Sequence, residues 1–500
     1  MKLHIFNTGI ASGAKQSRVA RTDSWIASSL SLLAMTAAVA VAVPGSAAPA
    51  DHWTALGHDI LKELIETNSI HARGSTEAAH KVEARLLAAG FDHKDVHFLV
   101  PPGHPTKGNV VVRLKGSGKA KPVLYVGHLD VVEAERADWS TDPFKLTAKE
   151  GFYYGRGTID MKGQDAAILV ALIRLKKEGF VPDRDIIAAF TADEEAGGDS
   201  NGVDWLLKTH RDLVDAAFSI NPDGAGDAVT RNGRPLYIAV ETSEKQYMTF
   251  AIAATDKGGH SSRPTPENPV YHVAAAVDRL AHYEFPLHLT ATGRAYFAKR
   301  AEMETGQVQA DMRAIAGPNP DEAAIRRLSA VVETNSLLRS TCVATEFHGG
   351  RSESALPVDA TATIQCRIVP GETLAEVRKT LTDIVADPKV KLTVVYPPDI
   401  SPESPLDPVV MGKIERLAAE KWPGIVILPE MAAGASDSAF TRQAGIPSYG
   451  VDALFEDIDD DRAHGRDERI GIADFAGDID FNYRLMKDLS RADSKNGAPP

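Results

Sequence analysis

The chain is 500 residues long, more than a single hydrophobic core usually holds, so two folded domains are expected. Apolar residues are 43% and charged residues 25%, the balance of a soluble globular protein. The formal charge is −13, and the first fifty residues carry +3 of it (Lys2, Lys15, Arg18 and Arg21 against Asp23); the remaining −16 repels nucleic acid and anionic lipid and argues against both as partners.

The N-terminus reads as a leader. Lys15, Arg18 and Arg21 precede an apolar run from about Trp25 to Val43, and Ser46-Ala47-Ala48-Pro49-Ala50 then offers an A-x-A-like cleavage site. Residues 1–50 are therefore expected to be a signal peptide, and the mature protein secreted or periplasmic and free of the membrane. An uncleaved anchor is the alternative, but the run is barely long enough and is diluted by Ser28, Ser29, Ser31 and Thr36.

From Asp51 helix and strand patterns alternate. Trp53 to Thr67 and Gly74 to Ala89 have apolar residues at helical spacing. Asn109 to Leu114, Pro122 to Gly127, Asp185 to Thr191 and Ala216 to Asn221 are short apolar runs that read as buried strands. A helical segment, Gln164 to Glu178, lies among them. Such alternation predicts an α/β domain whose mixed, mostly parallel sheet is sandwiched by helices. Near Thr242 the order becomes strand (Gln246 to Thr255), helix (Asn268 to His282), two strands (Cys342 to Phe347, Thr361 to Ile368), helix (Thr373 to Ala386) and strand (Val390 to Tyr396). That β-α-β-β-α-β order predicts an inserted ferredoxin-like α+β lid, interrupted by a partly helical insertion from Phe285 to Arg339. The expected boundaries are a catalytic domain in two parts, 51–242 and 400–490, a lid and dimerisation domain over 243–399, and a polar tail over 491–500. Cys342 and Cys366 lie on lid strands either side of a loop centred near Ser354, placed to form either a cross-strand disulfide or two buried thiols.

Open α/β sheets bind ligands beyond the carboxyl ends of their strands. Acidic and imidazole residues gather there in this chain: His128-Leu-Asp130, Asp160 in Gly155-Arg-Gly-Thr-Ile-Asp160-Met-Lys-Gly, Asp193-Glu194-Glu195, Pro222-Asp223-Gly224 and His464-Gly-Arg-Asp-Glu468. Each motif alone is an ordinary surface pair or tight turn. Together, at one sheet edge, two imidazoles and three or four carboxylates suit two divalent ions, zinc first and cobalt or manganese next.

These motifs, with Gly258-Gly-His-Ser-Ser-Arg-Pro264, occur in an order that resembles the di-zinc aminoacylase, carboxypeptidase and acetylornithine-deacetylase family. The resemblance spans about residues 51 to 490, and Asp223 with the long lid insertion is most similar to the branch of carboxypeptidase S and N-fatty-acyl-amino-acid hydrolases. It implies that Asp160 bridges the two metals, that His128 and Asp223 complete one site, and that Glu195 and His464 complete the other. Glu194 would be the general base, facing away from Glu195 on an extended segment, and Asp130 would accept the second N–H of His128. His260, from the lid and often from a partner subunit in this family, would stabilise the oxyanion. Arg367, in Gln365-Cys-Arg367-Ile-Val-Pro-Gly, would clamp a substrate carboxylate. Gly350-Arg-Ser-Glu-Ser354-Ala-Leu-Pro357 carries Ser354 where the family has a substrate-binding asparagine, and Gly434 would belong to the opposite wall of the cleft.

The function these residues imply is hydrolysis of a peptide or N-acyl amide bond beside a free C-terminal carboxylate. A dipeptidase or aminopeptidase of the same family is the alternative, and a metal-free peptide-binding relative the remote one. A small peptide or N-acyl amino acid is the expected substrate; whether the chain forms a homodimer through the lid stays open, since the Phe285 to Arg339 insertion could either cover the lid edge or extend it.

Overall fold

The computed structural model describes residues 51–223, 228–397 and 400–492. The signal peptide expected over 1–50 and most of the polar tail lie outside them. Among the described residues no helix is long and apolar enough to cross a membrane.

The central sheet has six strands in the order Val96–Leu99, Asn109–Leu114, Ile186–Thr191, Val123–His128, Phe218–Ile220 and Ser448–Tyr449. The last four pair in parallel, and the first two run antiparallel at one edge. Side chains alternate between two apolar layers because both faces are covered. Val123, Tyr125, Ile186 and Ala188 pack into one layer beneath the helices His52–Ile65, Lys162–Lys177 and Ile472–Leu489. Leu124, Val126, Ile187 and Ala189 pack into the other with Val203, Leu206 and Ile446. Helix Lys162–Lys177 is apolar on nearly every side (Ala166 to Ile173), and all but its last turn is buried. It ends at Gly179, whose positive φ breaks the helical run.

A second sheet, ordered Val426–Ala432, Arg234–Glu244, Ala228–Arg231 and Phe455–Asp457, flanks the first. Its long strand leads through a single residue, Lys245, into the lid strand Gln246–Thr255. The lid is an antiparallel sheet ordered Thr341–Gly349, Asp359–Ile368, Gln246–Thr255 and Lys391–Tyr396, the ferredoxin-like order. Helices Pro269–Ala281 and Leu374–Val385 cover one face. Burial along Asp359–Ile368 alternates residue by residue, as a sheet with one covered face requires. Cys342 and Cys366 are direct cross-strand partners and form a disulfide, the first of the two arrangements their spacing allowed.

The insertion folds as four helices, Ala291–Arg300, Gly306–Ala316, Glu322–Ser329 and Val332–Leu338, around Phe297, Met312, Ile315, Leu328 and Leu338. It packs on strand Val426–Ala432 of the second sheet. The Glu403 carboxylate accepts from the amides of Ala291 and Thr292 at 3.2 and 3.0 Å, and the hydroxyls of Thr242 and Thr292 meet at 2.8 Å. The edge strand Thr341–Gly349 of the lid therefore stays uncovered by the insertion.

Candidate metal centre

His128 is the last residue of its strand, and Glu194, Glu195 and Asp223 follow the ends of the neighbouring strands. Asp160 enters from the loop before helix Lys162–Lys177, and His464, at φ 58°, from the loop before Arg469–Gly471. The Oδ1 atom of Asp160 lies 3.0 Å from His128 Nε2, and its Oδ2 atom lies 2.9 Å from His464 Nε2. Asp223 Oδ1 stands 3.5 Å from the first imidazole, and Glu195 reaches within 3.1 Å of the second. One carboxylate thus faces two imidazoles, each with a further carboxylate of its own. Ligand atoms of His128, Asp160 and Glu195, and again of His128, Glu194 and Asp223, lie within 4.8 Å of one another.

Electrostatics at the cluster are dominated by crowding. Burial opposes charge on His128, but the carboxylates of Asp223, Asp160 and Asp130 outweigh it and hold the imidazole well above its usual range. Hydrogen bonds to Asp160 and Glu195 push His464 up to about 10. Burial, then the charge of Asp223, raises Glu194 well above the ordinary carboxylate range, and burial likewise raises Glu195 and Asp223. Asp160 moves the other way, because its bonds to both imidazoles outweigh burial. Four carboxylates face two imidazoles here, an excess of acidic groups that a cation would relieve. The nitrogen and oxygen donors fit borderline divalent cations, and Asp160 fits a bridge between two.

The contacts that hold these side chains differ from expectation in two places. Asp130 was expected to take the second N–H of His128 on its carboxylate. Instead its backbone carbonyl lies 3.1 Å from His128 Nδ1, while its nearer carboxylate oxygen is 3.7 Å away. That carboxylate accepts from the backbone N–H groups of Glu194 and Glu195, each at 3.2 Å, and so fixes both residues at once. The segment Asp193–Glu195 is a turn rather than extended: Asp193 has φ 58°, and Gly197 N donates to Asp193 O at 3.0 Å. The buried Asp193 carboxylate holds the turn from below, accepting from Lys107 Nζ and Ser200 Oγ, each at 2.6 Å, and meeting His71 Nδ1 at 3.1 Å. Turning, not strand alternation, separates Glu194 from Glu195.

Glu468 went unassigned in the sequence although it closes the His464 motif. It is wholly buried and accepts from Arg156 Nη1 at 2.7 Å and from the amides of Gly157, Ile159 and Asp160 at 3.1, 2.8 and 3.3 Å. Arg156 Nη2 reaches back to the carbonyls of His464 and Gly465 at 3.3 and 3.1 Å. This pair ties the Asp160 loop to the His464 loop.

A cleft of about 420 Å³ opens from the cluster toward the lid. Asp160, Glu194, Glu195, Asp223 and His464 line it, together with Lys245, Tyr247 and Tyr396 and with Gly434, Ser436 and Asp437. Burial pushes Asp437 up to about 7, against the pull of a 2.6 Å bond from Asn201. Arg367 does not line this cleft; its guanidinium lies over the Tyr247 ring, 4.9 Å from the centroid. Nor do His260 and Ser354. They lie close together on the exposed lid ribbon that pairs Gly259–His260 with Ala355–Leu356, where Ser261 N donates to Ser354 O at 3.0 Å.

The model of peptidase family M20/M25/M40 matches residues 124–488. The chain belongs to that family. It is 28% identical over 375 residues to the N-fatty-acyl-amino acid synthase/hydrolase PM20D1 of Homo sapiens, covering 73% of this chain and 74% of that protein. It is 26% identical over 407 residues to the probable carboxypeptidase S-like 2 of Dictyostelium discoideum, covering 77% and 75% respectively. The M20 metallo-carboxypeptidase Sso-CP2 of Sulfolobus solfataricus superposes with a TM-score of 0.64 at 19% identity, over 87% of this chain and 99% of that one. As a family member this M20 protein is a metallohydrolase acting on amide bonds.

Proposed function

We propose that this M20 protein hydrolyses a peptide or N-acyl amide bond next to a free carboxylate, using two divalent ions, zinc in the first place. The observation that carries the reading is Asp160, whose two oxygens face different imidazoles at 3.0 and 2.9 Å. His128, Asp223 and Asp160 would hold one ion; Glu195, His464 and the same Asp160 the other. Ions there would polarise the scissile carbonyl and lower the pKa of the attacking water toward ~7. Glu194 lines the cleft and is not needed as a ligand in either set. A carboxylate that lines the cleft beside both ligand sets without belonging to either suits a general base. Its carboxylate oxygen takes the proton of the attacking water and returns it to the leaving nitrogen. The Asp130 carboxylate keeps the Glu194–Glu195 turn in place through both events.

Similarity to a fatty-acyl-amino acid hydrolase and a carboxypeptidase S-like protein supports an N-acyl amino acid or small peptide as substrate. The basic, then apolar leader and the Cys342–Cys366 disulfide support export to the periplasm or outside the cell. His260 and Ser354 sit outside this chain's cleft, and the lid edge strand is free. Both features support a homodimer in which one lid serves the partner's cleft. Metal analysis with turnover tests the core of the reading. Glu194→Ala should keep its metals and lose turnover; normal turnover in that variant would remove the general-base role. His128→Ala should lower the metal content, and an unchanged content would remove it as a ligand.

A further inference from the structure

We propose that Lys245 is the residue that receives the substrate carboxylate, with Arg367 behind it; the assignment rests on the free-carboxylate reading above. Lys245 is the one residue between the strand Arg234–Glu244 of the second sheet and the lid strand Gln246–Thr255. Its backbone N–H is pinned to Ala432 O at 2.9 Å. The residue is only 2% exposed and lines the same cleft as the metal cluster. Among the described residues no carboxylate pairs with it, and its Nζ makes one long hydrogen bond, 3.4 Å to Thr341 Oγ1. The adjoining Glu244 turns elsewhere: its Oε2 accepts from the amide and hydroxyl of Ser436 at 3.0 and 3.2 Å, and its Oε1 lies 3.7 Å from Arg442 Nη1.

A buried ammonium without a counter-charge is costly, and such groups are normally paired. The strain shows in its titration: burial first, then the charge of Arg367, pushes Lys245 down to about 8, with Glu372 opposing. An anion arriving in the cleft would supply the missing partner. Arg367, by contrast, is stacked on its cross-strand partner Tyr247, which lines the cleft where Arg367 does not. Its charge adds to the potential at Lys245 without occupying the lining. The cleft lining thus combines the carboxylates of the proposed metal centre and of Glu244 with a single ammonium, that of Lys245. A molecule with an amide carbonyl at the proposed metals and a carboxylate at Lys245 would meet both charges at once. Because Lys245 is also the junction residue between the second sheet and the lid, an ion pair there fixes the carboxylate to the segment that joins the two.

The test compares an N-acyl amino acid with its C-terminal amide on zinc-loaded enzyme, in wild type, Lys245→Met, Lys245→Arg and Arg367→Met. Lys245→Met should lower the preference for the free acid about 100-fold, mainly through KM, as loss of one partner of a buried ion pair does. Lys245→Arg should restore most of it. Lys245→Gln gives the same reading should the methionine variant not fold. If the wild type prefers the acid, and Lys245→Met keeps that preference while Arg367→Met loses it, the proposal is overturned and Arg367 is the clamp. A wild type that cleaves acid and amide equally would instead remove the free-carboxylate reading, and this assignment with it.

Discussion

Glu468 offers a sharp test of how the metal centre is held, because it touches no proposed ligand side chain. Its carboxylate accepts four hydrogen bonds, one from Arg156 and three from the amides of Gly157, Ile159 and Asp160. Arg156 and Glu468 are both buried. Replacing Glu468 by Ala leaves a buried guanidinium unpaired, which costs about 3–5 kcal/mol. Glu468→Gln keeps the shape but turns an NH2 group toward either Arg156 or the amides, so part of the same loss remains. The Asp160 loop and the carbonyls of His464 and Gly465 share this anchor, so both halves of the centre should loosen together. Outer-shell partners of this kind typically contribute about 10–100-fold in metal affinity. Zinc titration against a competing chelator, with urea unfolding of the metal-stripped protein, reads both quantities. The expected result is weaker zinc binding at both sites and an unfolding free energy lower by about 3–5 kcal/mol for Glu468→Ala. Unchanged zinc affinity together with unchanged unfolding would refute the anchoring role.

Three further outcomes are expected. Glu241 and Glu244 share the buried Arg442, and burial pushes them up to about 8 and 7, well above the ordinary value near 4.5. The folded chain therefore holds protons that the unfolded chain has released, so their contribution to stability is full below pH ~4.5 and is lost as pH rises through about 7–8. Urea midpoints of metal-stripped protein should fall over that window, less steeply in Glu241→Gln; parallel curves would contradict this. The disulfide closes a loop of 24 residues, worth about 3.5 kcal/mol by loop entropy, so the double Ser variant of Cys342 and Cys366 should lose stability of that order in unfolding experiments. If the lid edge joins two copies, sedimentation should give a dimer, and mixing Glu194→Ala with His260→Ala protein should restore turnover that neither has alone; a monomer with full turnover would exclude the shared site.

Much of this architecture was legible because the physics is local. The central strands read as unbroken apolar runs since both of their faces are covered, and the lid strand Gln246–Thr255 ends at the turn signal Asp256-Lys257-Gly258-Gly259. The second sheet was not legible. Ala228–Arg231 and Phe455–Asp457 are too short to show a period, and Pro429 interrupts the pattern of Val426–Ala432. At the centre, strand-end positions brought His128, Glu195 and Asp223 to one place, and loops carried Asp160 and His464 to them. The positive φ of Asp193 and the two amides capped by Asp130 left no mark in the sequence, because the extended and turned forms use the same residues. Burial of Lys245 and Glu468 depends on what packs over them from distant segments. A lysine between two strands reads as a surface charge until the cleft is seen.

The two-metal reading meets its most direct test in zinc binding by metal-stripped protein, measured calorimetrically for wild type and Asp160→Asn with turnover followed in parallel. Two ions per chain are predicted for the wild type, with activity returning as they load, and a loss of affinity at both sites in Asp160→Asn. One ion per chain at full turnover, or two bound with undiminished affinity in Asp160→Asn, would contradict a carboxylate shared between two metals.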